Sequence, residues 1–338
     1  MAPSKALLST CVLVWACGAL GCGGGRAAEG GDAASTDAMG QDAGPTACLG
    51  DVCQPQVLAS IPYGGHGIAV DSTSVYVAVG GTVTKVPLDG GTAVTLAGMQ
   101  PTPLFVAVDS TSVYWTNSIV STSVAKVALD GGSEVILASN QPMPQGLAVD
   151  STSVYWSNGG NGTVMKVPLD GGAPTVLATG QTGAYCVAVD AISVYWSNSV
   201  MGGAVMKVAL EGGNPVTLAV VPDLQPMGIA LEGANVYWVT RAFGAATPAV
   251  MGVSVDGGTP VTLGGPNGYF NYITADETGV YFSDLESVSW LPLDANEVYG
   301  RTLAVGLTGE PQGIAVDTGN IYWINYDGTI MKMPKRYR

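Results

Sequence analysis

The chain has 338 residues, of which 48 are Gly and 20 are Pro, and only 11% are charged. So frequent an interruption of the backbone excludes a helical bundle, and a 47% apolar content excludes disorder over the whole length. With 26 acidic residues against 12 basic ones, for a formal charge of -14, the surface repels phosphate backbones, so no nucleic-acid partner is expected.

In chain order, Met1 to Lys5 carries one positive charge, Ala6 to Leu20 is a mostly apolar run, and Ala19-Leu20-Gly21 places small residues before Cys22. Residues 1–21 therefore read as a secretory signal peptide. The run is interrupted by Ser9, Thr10 and Gly18 and is too short for a membrane-spanning helix. Gly18-Ala19-Leu20-Gly21-Cys22 resembles a bacterial lipobox, with Ala19 where Leu is usual, and the resemblance implies that Cys22 is lipidated. Gly23 is not the Asp that retains such lipoproteins at the inner membrane. The implied address is the bacterial cell envelope, as an outer-membrane or cell-surface lipoprotein that meets the membrane only through its N-terminal lipid.

Residues 22–53 form the tether. Gly23 to Thr46 is rich in Gly, Ala, Asp and Ser without apolar periodicity, which leaves it no surface to bury. Cys48 and Cys53 are expected to form a disulfide in an oxidising compartment, two reduced thiols being the alternative. Cys186 is then left over and reads as a small core residue.

From residue 54 to residue 338 one unit recurs seven times: Ala-Val-Asp, then Val-Tyr-Trp four residues on, intact or degenerate. Its acid falls at Asp71, Asp109, Asp150, Asp190, Glu232, Asp276 and Asp317, the spacing of propeller blades. In the third copy Gly146 to Val149 is a first strand, Asp150 to Ser153 a polar turn and Val154 to Asn158 a second strand. Thr163 to Leu169 is a third, and Asp170-Gly171-Gly172 a tight turn into Pro174 to Ala178. Gln56-Val57-Leu58-Ala59 matches a fourth strand, whereas the last copy stops after its third, near Met333. The prediction is an all-β, seven-bladed β-propeller with four antiparallel strands per blade, closed by an N-terminal strand that completes the last blade.

The repeats resemble the YWTD propeller modules of the low-density lipoprotein receptor family through Tyr114-Trp115-Thr116-Asn117, Tyr155-Trp156-Ser157-Asn158 and the turns Leu88-Asp89-Gly90 and Leu169-Asp170-Gly171. The resemblance implies a rigid extracytoplasmic scaffold for protein interaction. That family has six blades and an Asp at the fourth position. Here Asn158, Asn198, Thr240 and Asn325 stand there, and only Asp284 keeps the acid.

Residue types repeated in every blade read as scaffold: the acids cap turns, and the Tyr-Trp pairs pack between blades with their polar tips reaching neighbouring backbone. Lys85, Lys126, Lys166, Lys207 and Lys332 share one position on the third strand and read as a solvated face, with anion binding as the alternative. Variety is confined to the interblade connections and the loops from second to third strand, which emerge on one face, where binding is expected.

The position before each innermost strand rings the channel mouth: His66, Leu104, Gln145, Tyr185, Met227, Asn271 and Gln312. The next position gives Gly67, Phe105, Gly146, Cys186, Gly228, Tyr272 and Gly313, bulky groups alternating with openings. Tyr63, Phe243, Tyr269, Phe270 and Tyr326 lie around it. From these the expected ligand face comprises Tyr63, His66, Phe105, Gln145, Tyr185, Met227, Tyr269, Asn271, Tyr272, Gln312 and Tyr326. Exposed aromatics beside amides suit an envelope or extracellular protein, peptide or glycan.

For catalysis the inventory is poor. His66 is the sole histidine, which excludes multi-histidine zinc sites. The alternative to a binding module is a propeller lyase or lactone hydrolase in which His66 works with Glu310, Asp223 or Asp327. No cofactor and no metal site are expected, and the chain is expected to be a monomer.

Overall fold

Short runs in which apolar and aromatic residues alternate with small polar ones, each closed by an Asp-Ser-Thr-Ser or Asp-Gly-Gly turn, fold into seven four-stranded antiparallel sheets. The computed structural model describes residues 48–49, 52–62, 64–242, 246–264, 272–293, 300–305, 307 and 309–335. The expected signal peptide, lipidated Cys22 and most of the tether lie outside them, as do Tyr63, Phe243, Tyr269, Phe270 and Asn271. Cys48 and Cys53 face each other across a two-stranded pair, but their side chains lie outside what is described, and with them the expected disulfide.

Blade 1 is built from Gly65–Val70, Ser74–Val79, Thr82–Pro87 and Val94–Ala97, and blades 2 to 6 repeat that order. Blade 7 has three strands of its own, Pro311–Val316, Asn320–Asn325 and Thr329–Pro334. Its fourth is Gln56–Ser60 from the start of the domain, antiparallel to Thr329–Pro334. First strands adjoin around a closed ring, that of blade 7 lying against that of blade 1. The structure is thus the expected seven-bladed propeller, and among the described residues it has no helix.

Burial follows the radius. The second strands Ser112–Asn117 and Ser153–Asn158 are buried at every position because a neighbouring blade covers each face. Outer strands such as Thr175–Ala178 expose their first half. Five Trp side chains of the second strands are fully buried, together with four of their five Tyr neighbours.

The polar groups of the repeat are satisfied by side chains more than by the backbone foreseen for them. Asp150 Oδ1 accepts from the Thr152 and Ser153 N–H groups at 2.7 and 2.8 Å, and its Oδ2 accepts from the Tyr155 hydroxyl at 2.8 Å. Asp71, Asp109, Asp190 and Asp317 do the same for Tyr76, Tyr114, Tyr195 and Tyr322. The Trp115 indole and the Asn117 amide both donate to Gln100 Oε1 at 2.9 Å, and Gln141 and Gln181 serve blades 3 and 4 alike. This explains Asn at the fourth position, since a carboxylate there would face the Gln oxygen with no proton to share. Asp284 instead accepts from the Glu286 and Ser287 N–H groups of its own loop.

The lysines are not a solvated face. Each ammonium is half-buried and donates to a turn carbonyl of the next blade: Lys85 to Leu129, Lys126 to Leu169, Lys166 to Leu210 and Lys207 to Val255. Lys332 reaches Leu88 across the closure, all within 2.6–3.1 Å. The ammonium completes a carbonyl of the neighbouring blade, so the charge serves as an interblade clasp. Blades 5 and 6 carry Gly252 and Trp290 at this position. On the side of blade 6, Lys335 takes over, bonding to Asp276 and to the Asp317 carbonyl over the Tyr281 ring.

Cys186 also departs from expectation. It is fully buried and disulfide-bonded, to a cysteine whose side chain lies outside the described residues.

Candidate functional site at the channel mouth

The mouth is shaped by a fault in the ladders. In blade 3 Pro144 pairs with Asn158 and the next pair is Leu147 with Trp156, so Gln145 and Gly146 together oppose Ser157. The same shift occurs in the inner strands of blades 1, 2, 4, 5 and 7. Such a bulge bends the strand and redirects its side chains, and in each case the ring residue foreseen from sequence lies within it.

The second-strand residue at this level links blades. The Thr116 hydroxyl donates to the Gln145 carbonyl at 3.1 Å, Ser197 to Met227 at 2.7 Å and Ser283 to Gln312 at 2.9 Å, and Ser157 donates to the Tyr185 carbonyl. Ring residues of blades 3, 4, 5 and 7 are thereby held by the second strand of the preceding blade. Two of the glycines read as openings are filled. A Cβ on Gly67 would stand 2.4 Å from the Leu104 carbonyl, and one on Gly146 2.4 Å from the Tyr185 carbonyl. These glycines admit the next blade's backbone rather than a ligand.

A cavity of about 220 Å³ opens over blades 3 to 5. Its walls come from the ends of first and second strands and the loops that continue them: Met143, Gln145 and Gly159 around blade 3, Gly183, Ala184, Tyr185 and Ser199 around blade 4, Gln225, Met227 and Arg241 from blade 5. The first two strands of blade 5, Leu224–Glu232 and Asn235–Ala242, overrun the five- and six-residue strands of its neighbours. The extension pairs Gln225 with Arg241 and carries both to the cavity wall. Gln225 Nε2 donates to the Ser199 carbonyl at 2.7 Å, bracing that wall.

Tyr185 is only 7% exposed, and its buried hydroxyl has no hydrogen-bond partner. Burial above all, then neighbouring Tyr272, pushes its phenol well above the ordinary range, with Arg241 pulling the other way. The group stays a protonated donor. Among the described residues the lining contains one cation, Arg241, and no carboxylate.

Of the residues expected at the face, Gln145, Tyr185 and Met227 therefore meet in one cavity. Phe105 is buried edge-on against Tyr185, ring centroids 5.9 Å apart. Tyr272 is buried and donates to Gln312 Oε1 at 2.7 Å. The exposed aromatics expected there reduce, among the described residues, to Tyr326, which is 53% exposed and lies 5.8 Å from His66 by ring centroids. Met143, Ser199, Gln225 and Arg241 were missed, because reading one register position per blade passes over the loop ends that converge on it.

His66 stands outside this cavity. Burial lowers its pKa to about 4, so it is neutral at physiological pH, and its buried Nδ1 has no hydrogen-bond partner. No hydrogen bond joins it to Glu310, Asp223 or Asp327 among the described residues, and Asp327 Oδ1 instead accepts from the Thr329 N–H at 2.8 Å. Among the described residues no three His, Cys, Asp or Glu side chains gather where they could hold a metal.

Two further features mark the same face. Met99, Ile119, Val120, Met143, Met201, Leu285 and Val305 are exposed there, Met99 at 98%, whereas among the described residues the turns of the other face expose only Ile192 of the large apolar residues. The non-glycine residues with positive φ, Met99, Ser121, Asn140, Met143, Asp223 and Glu310, also lie in its loops, a conformation that side chains adopt at a cost.

No family model matches the chain, and no curated protein sequence matches it. Solved structures do. Virginiamycin B lyase from Staphylococcus aureus superposes with a TM-score of 0.70 at 15% identity, over 84% of this chain and 99% of that one. A catalytically inactive form of that lyase with quinupristin superposes equally well, at 16% identity over the same shares. A chain of the nidogen–laminin complex superposes with a TM-score of 0.57 at 19% identity, over 72% of this chain and 98% of that one. At these identities the likeness is one of fold, shared by a lyase and by a protein seen in a complex.

Proposed function

We propose that the chain is an extracytoplasmic binding module, a lipid-anchored propeller at the bacterial cell envelope that presents its variable face to a protein or peptide partner. The observation that carries this reading is the concentration on one face of the cavity, the exposed Met, Ile and Val side chains and the left-handed backbone. Large apolar groups gathered on one side of a soluble domain mark an interaction surface, and Met adapts to varied partners. A glycan would call for exposed aromatic platforms, and Tyr326 alone among the described aromatics offers one.

The test is photo-cross-linking in intact cells, with a photoreactive residue at Val120 on the variable face or at Asp170 on the opposite one. The reading expects discrete adducts from Val120 and none from Asp170. Equal labelling, or none, refutes it.

The lyase or hydrolase reading draws on the fold shared with the Staphylococcus aureus enzyme. His66 is its only histidine candidate, but an imidazole of pKa about 4 without a bonded carboxylate is a weak base. Turnover of quinupristin by the intact chain, abolished by His66→Ala with unchanged folding, would replace the binding reading.

A further inference from the structure

We propose that the cavity over blades 3 to 5 takes a carboxylate borne on an apolar residue, the free C-terminus of a peptide chain. This rests on the binding reading above and names the chemistry of its ligand.

The first argument is charge. In a chain of net charge -14, this cavity is lined, among the described residues, by a guanidinium and by no carboxylate. A guanidinium has five N–H donors in a planar fork, more than one partner exhausts, and the fork matches the two oxygens of a carboxylate.

The second argument is the buried Tyr185 hydroxyl. A donor shut away from water without an acceptor is costly, and burial keeps this one protonated. A ligand oxygen reached by a small shift of the ring would satisfy it. Arg241 and Tyr185 line the same cavity, so one anionic group can engage both.

The third argument is size and lining. About 220 Å³ is below the range of pockets that enclose a whole drug-sized ligand, and it suits an end group or a single residue. Met143 and Met227 provide apolar wall, and the amides of Gln145 and Gln225 can meet peptide groups. Met143 is 54% exposed and continues outward into the apolar crown, so a chain whose last residue sits in the cavity would lay its preceding residues on Met201 and its neighbours. A uronate sugar shares the carboxylate but has no use for this apolar lining.

The experiment is isothermal titration of the full-length chain with a heptapeptide ending in Leu, with the same peptide as its C-terminal amide, and with a glucuronate disaccharide. The acid is expected to bind and the amide to bind at least ~30-fold more weakly, since charge-assisted hydrogen bonds are lost. Arg241→Gln should weaken the acid by a similar factor and leave the amide unchanged, and Tyr185→Phe should weaken the acid several-fold. Met143→Glu, at an exposed wall position where folding is not at stake, should weaken the acid alone by repulsion. Equal binding of acid and amide, indifference of the acid to Arg241→Gln and to Met143→Glu, or binding of the disaccharide alone would overturn the inference. If neither peptide binds while Val120 still cross-links, the carboxylate inference falls and the binding face stands. If both experiments fail, both readings fall.

Discussion

Asp150 and Tyr155 give the sharpest test of why the repeat unit is built as it is. The Asp150 carboxylate accepts two backbone N–H groups of its own turn at 2.7 and 2.8 Å and the Tyr155 hydroxyl at 2.8 Å, and Tyr155 is only 1% exposed. Asp150→Ala strands the phenol in the core, which costs about 1–3 kcal/mol. It also removes the side-chain acceptor of the turn, worth about 1 kcal/mol by analogy with helix caps. The expected loss is about 3 kcal/mol, or about 6 °C in Tm at roughly 2 °C per kcal/mol for a domain of this size. Asp150→Asn keeps an oxygen for the turn and should cost only about 1 kcal/mol. Tyr155→Phe alone should also cost about 1 kcal/mol. In the double variant Asp150→Ala/Tyr155→Phe no hydroxyl is stranded, so urea denaturation should give a total about 1–2 kcal/mol smaller than the sum of the singles. Additivity within about 0.5 kcal/mol would refute the coupling and leave the acid as a turn cap alone.

Lys166→Met keeps the packed stem but removes the bond to the Leu210 carbonyl at 2.7 Å, and should cost about 2 kcal/mol in urea unfolding. Glu211→Gln, which breaks the 3.4 Å ion pair of the same ammonium with a 92% exposed side chain, should cost less than about 0.5 kcal/mol. Gly146→Ala forces a Cβ against the Tyr185 carbonyl and should destabilise by about 3 kcal/mol or prevent folding, read by circular dichroism and thermal melts. His66 is held at a pKa of about 4 by burial, below its ordinary 6.5. The unfolded chain therefore binds a proton that the native chain refuses, and stability is lost as pH falls from about 6.5 towards 4. His66→Asn should remove about 2–3 kcal/mol of the decline between pH 7 and pH 4.5, with identical pH dependence in both proteins as the contrary result.

The blade count, the closing strand and the division into a uniform and a varied face were legible in the chain. Six of the ring residues fall in bulges within the inner strands, and Gln145, Tyr185 and Met227 share a cavity. Their burial was misread for Phe105 and Tyr272, whose rings pack inward. The lysines departed from the expected solvated face because a single charged residue on a strand looks the same in sequence whether water or a neighbouring turn receives it. Gln100, Gln141 and Gln181 gave no signal as loop residues, since their partners Trp and Asn lie 15 and 17 residues on. Arg241 lay beyond the end that the repeat predicts for its strand.

What the sequence alone determines here is whatever one blade can encode by itself and repeat: strand alternation, turn chemistry, the Asp-to-Tyr span of five residues, and the missing fourth strand that only the other terminus can supply. These depend on short separations, where backbone geometry and side-chain period leave few choices. The tertiary structure decides the rest. Met143 and Arg241 lie nearly a hundred residues apart and share a wall only because ring closure sets blade 3 near blade 5. Whether a bulged ring residue faces solvent, a cavity or its neighbour's backbone depends on the side chains of the adjacent blade, and no single repeat carries that information.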